Sequence, residues 1–507
     1  MGIRHVVRGG LTLALLTAAT GTASLAGGLP EDLDQYITAG MDAWRLPGLS
    51  LVVVKDGEVV VERGYGVLEA GKPAAVDADT IFAIGSASKA FTAAAIGTLV
   101  DRQVIEWDDH VVDHWPAFEM SDPWVTKEIR VSDLLANHSG LSEVAEEIWY
   151  GTGYDREELI ERLADVPITE GFRYQFQYRN LMFVAAGELI PRVTGSSWDD
   201  YLTTRLFGPL KMDRTTTRLA AVRNETSLAR PHLIDYAGEP LPIAYRNIEN
   251  VGPAGAILSS ARDMGHWVRM LVDGGSFDGQ RVLQPETLAF IQRGQTPVTT
   301  TGPGGEPLSP PAELRAYALA WVTESYHGTR LVWHNGSIDG MSAWVGMAPD
   351  LRLGVALLSN LDDANLRNAI FYRIVDSYTD HELSDLSPEL LEKQRAGLAA
   401  RAQAEAHWQS LSDTPASPSL PLKDYTGIYR NAAFGTVEIA LEDQHLVYRR
   451  TPTMILDLRC EQGDTFLGKY RGVAEDLREQ KLEIAFQADA GKITGFSEDV
   501  LTFQAVD

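Results

Sequence analysis

At 507 residues, 45% of them hydrophobic, the chain is too long for one ordinary core and predicts more than one folded unit. Its 70 acidic residues against 44 basic ones leave a formal charge of −26, which repels phosphate backbones and anionic membrane surfaces; with no basic run to offset it, nucleic acid is excluded as a partner. The single cysteine, Cys460, excludes an internal disulfide and a thiolate metal cluster, and reads as a small packing residue.

Residues 1–26 carry Arg4 and Arg8, an apolar stretch Leu11–Ala19 and small residues around Ser24 to Ala26. This order predicts a cleavable export signal and a periplasmic or secreted protein. The stretch is too short for a membrane span and no later segment reaches the length, so no integral span is expected. Next, "GLSLVVVKDGEVVVERGYGV" places two β-branched runs around Asp56-Gly57, a hairpin signal. "SASKAFTAAAIGTLVD", 86–101, predicts an Ala-rich helix apolar nearly all round, hence buried. The middle third mixes helical patterns with loops. From about residue 315 the period changes, with strand–turn–strand signatures around His327-Gly328 and Pro349-Asp350, then a helical "ANLRNAIFYRIVDSY". Strands at both ends of a segment with helices between them imply an α+β domain, 27–385, whose sheet joins sequence-distant strands. Residues 386–420 read as a helical connector and the linker "DTPASPSLP". Short alternating runs over 421–507 predict a small all-β domain, sandwich or barrel.

Ser86 and Lys89 lie three apart at the start of the buried helix, on one face, so the hydroxyl and the amine can meet. Burial disfavours the ammonium, so a lowered lysine pKa and a part in proton transfer are expected, as activation of a hydroxyl nucleophile requires. A serine at a helix N-terminus also faces backbone N–H groups that can hold an oxyanion. Chance alone produces a Ser-x-x-Lys match about once or twice in a chain of this length. His110 and His114, beside Asp108, Asp109 and Asp113, have ligand-like spacing but no third-ligand pattern, and no metal is expected there. There is no Gly-x-Ser-x-Gly elbow and no phosphate loop, and no cofactor is predicted.

The Ser-x-x-Lys pattern resembles that of the penicillin-recognising serine hydrolases, whose members near the class C β-lactamases, D-aminopeptidases, D,D-carboxypeptidases and related esterases add Tyr-x-Asn and then Lys/His-x-Gly. Tyr-Arg-Asn occurs at 178–180, 245–247 and 429–431; only Tyr178 and Asn180 lead into an apolar helix at the family's distance, and turn chemistry suits the other two. His-x-Gly occurs at 138–140 and 334–336; His334 and Gly336 have strand context, while "LLANHSGL" resembles a structural turn near the family's site. "LFGPLKMDRT", "GPAGAILSSARDMGHW" and "WVGMAPDLRLGVALLSN" extend the likeness in order, over roughly residues 30–380.

The resemblance implies a β-lactamase/transpeptidase-like antiparallel sheet with a helical subdomain, and a lipocalin-like C-terminal barrel that either caps the site against all but small substrates or merely stabilises. It implies acyl transfer: Ser86 attacks, Tyr178 with its phenol pKa lowered by Lys89 is the base, Asn180 fixes Lys89, and the N–H groups of Ser86 and Ser337 form the oxyanion hole. Gly336 lets substrate approach and His334 shapes the pocket. A histidine mostly neutral at pH 7, where β-lactamases usually carry lysine, favours esters or D-amino-acid amides and short peptides over β-lactams. A β-lactamase or penicillin-binding carboxypeptidase is the first alternative and a non-catalytic ligand-binding protein the second. The oligomeric state stays open.

Overall fold

The computed structural model describes residues 28–298, 312, 314–362, 364–412, 416–452, 454–472, 476–477 and 481–506. The expected export signal lies outside them. Among the described residues, no helix is long and apolar enough to cross a membrane.

The Asp56-Gly57 turn joins β1 (Gly48–Lys55) to β2 (Glu58–Gly66). The remaining strands of the sheet come about 230 residues later: β3 (Thr296–Pro297), β4 (Leu314–Tyr317), β5 (Val322–Tyr326), β6 (Thr329–Ile338), β7 (Met341–Ala348) and β8 (Leu353–Ser359). Their spatial order is β2-β1-β8-β7-β6-β5-β4-β3, and every pairing is antiparallel. The sequence-distant ends meet at β1 and β8, where Leu49 opposes Ser359 and Lys55 opposes Leu353.

Strand β1 reads as a continuous apolar run because both of its faces are covered. Val52 and Val54 point into the larger core, with α2 (Ser88–Asp101), α3 (Asn180–Thr194) and α4 (Ala261–Val272). Leu49, Leu51 and Val53 face the other way, against α1 (Leu33–Trp44) and α5 (Leu366–Asp376). Helix α2 is buried from Ser88 to Leu99, which explains a composition apolar all round. It begins two residues later than its sequence pattern suggests: Ser86 sits in a separate 3₁₀ turn, Gly85–Ala87, that bends the chain from the short strand Ile81–Ala83 into α2.

Helix α6 (Ser387–Ser410) leads to the C-terminal strands β9 (Gly427–Asn431), β10 (Gly435–Glu442), β11 (His445–Arg449), β12 (Ile455–Gln462), β13 (Thr465–Tyr470), β14 (Leu482–Asp489), β15 (Lys492–Glu498) and β16 (Leu501–Ala505). Each pairs with the next, and β16 closes on β9 through Tyr429 opposite Ala505, giving an eight-stranded up-and-down barrel. Buried alternate residues inside the barrel include Tyr429, Tyr448, Phe486, Phe496 and Phe503, whose rings pack edge-on, tilted or stacked at centroid distances of 4.8–6.1 Å.

The barrel rests on the larger α+β domain along residues 147–162. Tyr154 donates its hydroxyl to the Phe434 carbonyl at 2.8 Å, Arg162 donates to the Ala433 carbonyl at 2.9 Å, and Arg450 pairs with Glu147 at 3.0 Å. Leu477 completes a small apolar contact with Leu233 and Ile243.

Candidate active site

Three chain segments converge. The 3₁₀ turn and α2 carry Ser86 and Lys89, the loop before α3 carries Tyr178 with Asn180 at the first helical position, and β6 carries His334, Gly336 and Ser337.

The turn and β6 fit against one another only because two positions lack side chains. A Cβ on Gly336 would lie 1.9 Å from the Ile84 carbonyl oxygen and 3.0 Å from the Ser86 nitrogen. A Cβ on Gly85, whose φ is +51°, would lie 2.8 Å from the Ser337 nitrogen. The backbones around Ser86 and Ser337 thereby adjoin. The Ser337 hydroxyl is drawn aside to Asp362, donating at 2.7 Å.

Lys89 is fully buried. Its Nζ lies 2.7 Å from Asn180 Oδ1, 2.8 Å from the Ala254 carbonyl oxygen and 3.0 Å from Ser86 Oγ. The first two can only accept. A neutral amine has two N–H bonds for them and one lone pair, which is left for the serine hydroxyl. Burial pushes the amine down to about 7, with the Glu146 carboxyl opposing the shift.

Burial pushes the Tyr178 phenol well above its ordinary range, and a hydrogen bond with Ser86 offsets this only in part. The sequence-based expectation of a lowered phenol pKa is therefore corrected. Lys89 stands 4.7 Å from the ring centroid, but a largely neutral amine does little to stabilise a phenolate, and desolvation dominates.

Tyr178 is clamped from both sides by the turn containing His138. The amide of Gln177 donates to the Asn137 carbonyl at 2.7 Å, and the amide of Arg179 donates to Asn137 Oδ1 at 3.0 Å. His138 itself bonds Asp133 at 2.8 Å and Thr296 at 3.0 Å, supporting that turn. The other Tyr-Arg-Asn copies lie in local structure: Tyr245 donates to the Ala229 carbonyl, Asn247 accepts from the Glu249 amide, and Tyr429 donates to the Tyr425 carbonyl.

His334 is buried with both nitrogens engaged. Nδ1 is 2.6 Å from the Asn335 carbonyl, so it carries the proton, and Nε2 accepts from the Tyr317 hydroxyl at 3.0 Å. Burial and the nearby Lys89 push this imidazole down to about 3, so it is neutral at physiological pH.

Sequence reasoning missed Glu146. Its carboxylate accepts from the Asn180 backbone amide at 2.7 Å, from Asn180 Nδ2 at 2.5 Å and from Trp149 Nε1 at 3.1 Å. Because a carboxylate can only accept, it turns the amide nitrogen of Asn180 toward itself and the oxygen toward Lys89. Burial pushes the Glu146 carboxyl up while those donors pull it back. No motif announces it: the contact spans 34 residues and arises from a short helix, Val144–Glu147, held under the barrel. In Glu146→Gln the substituted amide can donate as well as accept and the Asn180 orientation is lost. We expect kcat/KM to fall about 10- to 100-fold with little change in Tm, checked by steady-state kinetics beside calorimetry.

The spaced histidines His110 and His114 each pair with a neighbouring aspartate instead of facing a common point. His114 bonds Asp109 at 2.8 Å and His110 lies 3.6 Å from Asp113, and among the described residues no cluster of three or more His, Cys, Asp or Glu is arranged to hold an ion.

The sheet flanked by helices, with a serine in the turn that leads into the central helix and a buried lysine on that helix, defines the chain as a serine hydrolase of the penicillin-recognising superfamily. The family model described as Beta-lactamase matches residues 33–377, and the chain belongs to that family; a second model, a domain of unknown function termed DUF3471, matches residues 411–505. The unguisins hydrolase ungD' of Aspergillus campestris (strain IBT 28561) is 29% identical over 442 residues, spanning 83% of this chain and 79% of that protein. Penicillin-binding protein 4 of Amycolatopsis lactamdurans is 28% identical over 320 residues, 62% of this chain and 81% of its own. The octameric penicillin-binding protein homologue from Pyrococcus abyssi shares the fold, with a TM-score of 0.57 at 20% identity over 93% of this chain and 99% of that one.

Proposed function

We propose that the chain is an exported hydrolase that cleaves an ester or a D-amino-acid-type amide or peptide through an acyl-enzyme on Ser86. The observation that carries this reading is the coordination of Lys89, two acceptors and one serine hydroxyl around a desolvated amine.

In this mechanism the lone pair of neutral Lys89 takes the Ser86 proton as Oγ bonds to the substrate carbonyl carbon. The charge that develops on the carbonyl oxygen is held by the N–H groups of Ser86 and Ser337. Tyr178, kept protonated by burial, donates its hydroxyl proton to the departing oxygen or nitrogen and recovers one from the Lys89 ammonium. Water then attacks the ester as Lys89 takes its proton, and the Lys89 ammonium returns that proton to Ser86 Oγ as the acyl–oxygen bond breaks. Asn180, held by Glu146, keeps the amine in line.

His334 supports esters and D-aminoacyl substrates over β-lactams, because a neutral imidazole with both nitrogens spent offers no cation to an antibiotic's carboxylate. The relative named as an unguisins hydrolase agrees with a hydrolase reading. The reading that the barrel only holds a ligand is weakened by the aromatic rings packed across its interior.

The test is a panel of p-nitrophenyl esters, D- and L-aminoacyl p-nitroanilides and a chromogenic cephalosporin. Esters or D-aminoacyl anilides should turn over fastest, and Ser86→Ala should lose every activity. A cephalosporin turned over faster than both would replace this reading with a β-lactamase, and activity retained in Ser86→Ala would end it.

A further inference from the structure

Beside the Ser86 site, on a side where the barrel contributes no lining residue, the catalytic half holds an open cleft of about 1140 Å³. We infer that this cleft is the binding site for the body of an extended peptide substrate, uncharged or cationic and several residues long. This rests on the hydrolase reading above and adds the size and charge of what is hydrolysed.

The cleft approaches the site at two points. Asp339, in its wall, follows Ser337 by two residues at the end of β6, and Trp149, in the opposite wall, donates to the Glu146 that orients Asn180. A narrow crevice runs from Tyr245 and Asp339 to Gly255 and Ala256, next to the Ala254 carbonyl that receives Lys89.

Its volume exceeds the range of about 300–1,000 Å³ that encloses a drug-sized ligand, so one aminoacyl amide or a small ester would leave most of it to water. Its walls are aromatic and anchored. Tyr150 donates its hydroxyl to Asp339 at 2.9 Å, the Arg246 guanidinium stacks 4.5 Å from the Tyr150 ring centroid and pairs with Asp339 at 3.1 Å, and the Tyr154 hydroxyl is held by the Phe434 carbonyl. With their polar ends tied and an arginine over each tyrosine, Arg246 on Tyr150 and Arg162 on Tyr154, these rings are already ordered and offer only their remaining faces and edges, at little further entropic cost, to peptide planes and apolar side chains.

Charge narrows the ligand further. Six carboxylates line the cleft against three arginines, and Arg156, Arg218 and Arg246 are each paired with an acid, Asp199, Asp200 and Asp339 respectively. A polyanionic chain would meet net repulsion there and a basic one net attraction. The barrel bonds the lining residue Tyr154 through Phe434 but adds no residue of its own to the cleft lining.

The probe is penta-alanyl-lysine amide in all-D and all-L forms, with a glutamate analogue and a single aminoacyl amide as controls. Binding is measured by calorimetry on Ser86→Ala, which holds substrate without turning it over, and separately on Ser86→Ala carrying Ala244→Trp. Ala244 is an exposed position of the cleft wall outside the proposed machinery, and tryptophan there fills the cleft. One stereoisomer of the lysine peptide should bind at least about tenfold tighter than the single residue and than the glutamate analogue, and Ala244→Trp should remove that advantage. In otherwise wild-type enzyme Ala244→Trp should lower kcat/KM for the long substrate about tenfold and leave the one-residue substrate within about twofold. Equal binding of long and short ligands, or an Ala244→Trp effect common to both, would overturn the cleft assignment. Peptide binding to Ser86→Ala without turnover by the wild type would uphold it while removing the hydrolase reading.

Discussion

Replacing Lys89 by alanine should lower kcat/KM by about 10³- to 10⁴-fold, the range in which a positioned general base operates. The amine is useful only when neutral, so activity of the wild type should rise with pH through about 7 and fall roughly tenfold per pH unit below it, where Lys89 takes up the proton. In Lys89→Ala that acid limb should vanish from the residual activity. If Tyr178 were the base, with its phenol held high by burial, the wild-type rate would instead keep climbing well above pH 9. The substitution also strands the Asn180 Oδ1 and Ala254 carbonyl acceptors, at a cost of about 1–3 kcal/mol for each that stays unpaired, so Tm should be recorded beside the kinetics.

The second large effect is expected at a position with no chemistry of its own. Gly336→Ala places a methyl carbon 1.9 Å from the Ile84 carbonyl oxygen, and that atom belongs to backbone already pinned by the Ile84 amide bonded to Ile257 at 3.0 Å. Neither strand nor turn can yield without separating Ser86 from β6. Destabilisation of about 2–3 kcal/mol is expected from overpacking. A loss of at least about 10²-fold in kcat/KM should accompany it, since displacement of the order of 1 Å undoes the alignment at the serine. A shift of Tm with unchanged kinetics in the surviving folded enzyme would show that the close approach serves packing alone.

These two residues also mark how much of the molecule was legible in the sequence. Lys89 and Gly336 announce themselves because each belongs to a local pattern, a helix face or a strand tripeptide, and the order of three such patterns separates Tyr178 and His334 from their duplicates. Barrel strands announce themselves by alternation, as in "GTVEIAL", where Val437 and Ile439 face inward. Glu146 was not legible, because its partner lies 34 residues away and a glutamate among several acids carries no local signal. The acidity of Tyr178 was misjudged for a related reason: one nearby amine is visible in the motif, whereas desolvation by Tyr317, His334 and the surrounding chain is a property of the assembled fold. The cleft joins residues from stretches around 150, 245 and 339 with isolated positions between them such as Asp199 and Arg218, and exists only in three dimensions.

The most direct test of a serine activated by a neutral buried lysine is to treat the protein with a fluorophosphonate across pH 5–9 and map the adduct by peptide mass spectrometry. The account predicts one phosphonylated residue, Ser86, at a rate that titrates near 7, and no adduct in Ser86→Ala. Modification of a different residue, or equal labelling of wild type and Ser86→Ala, would contradict it.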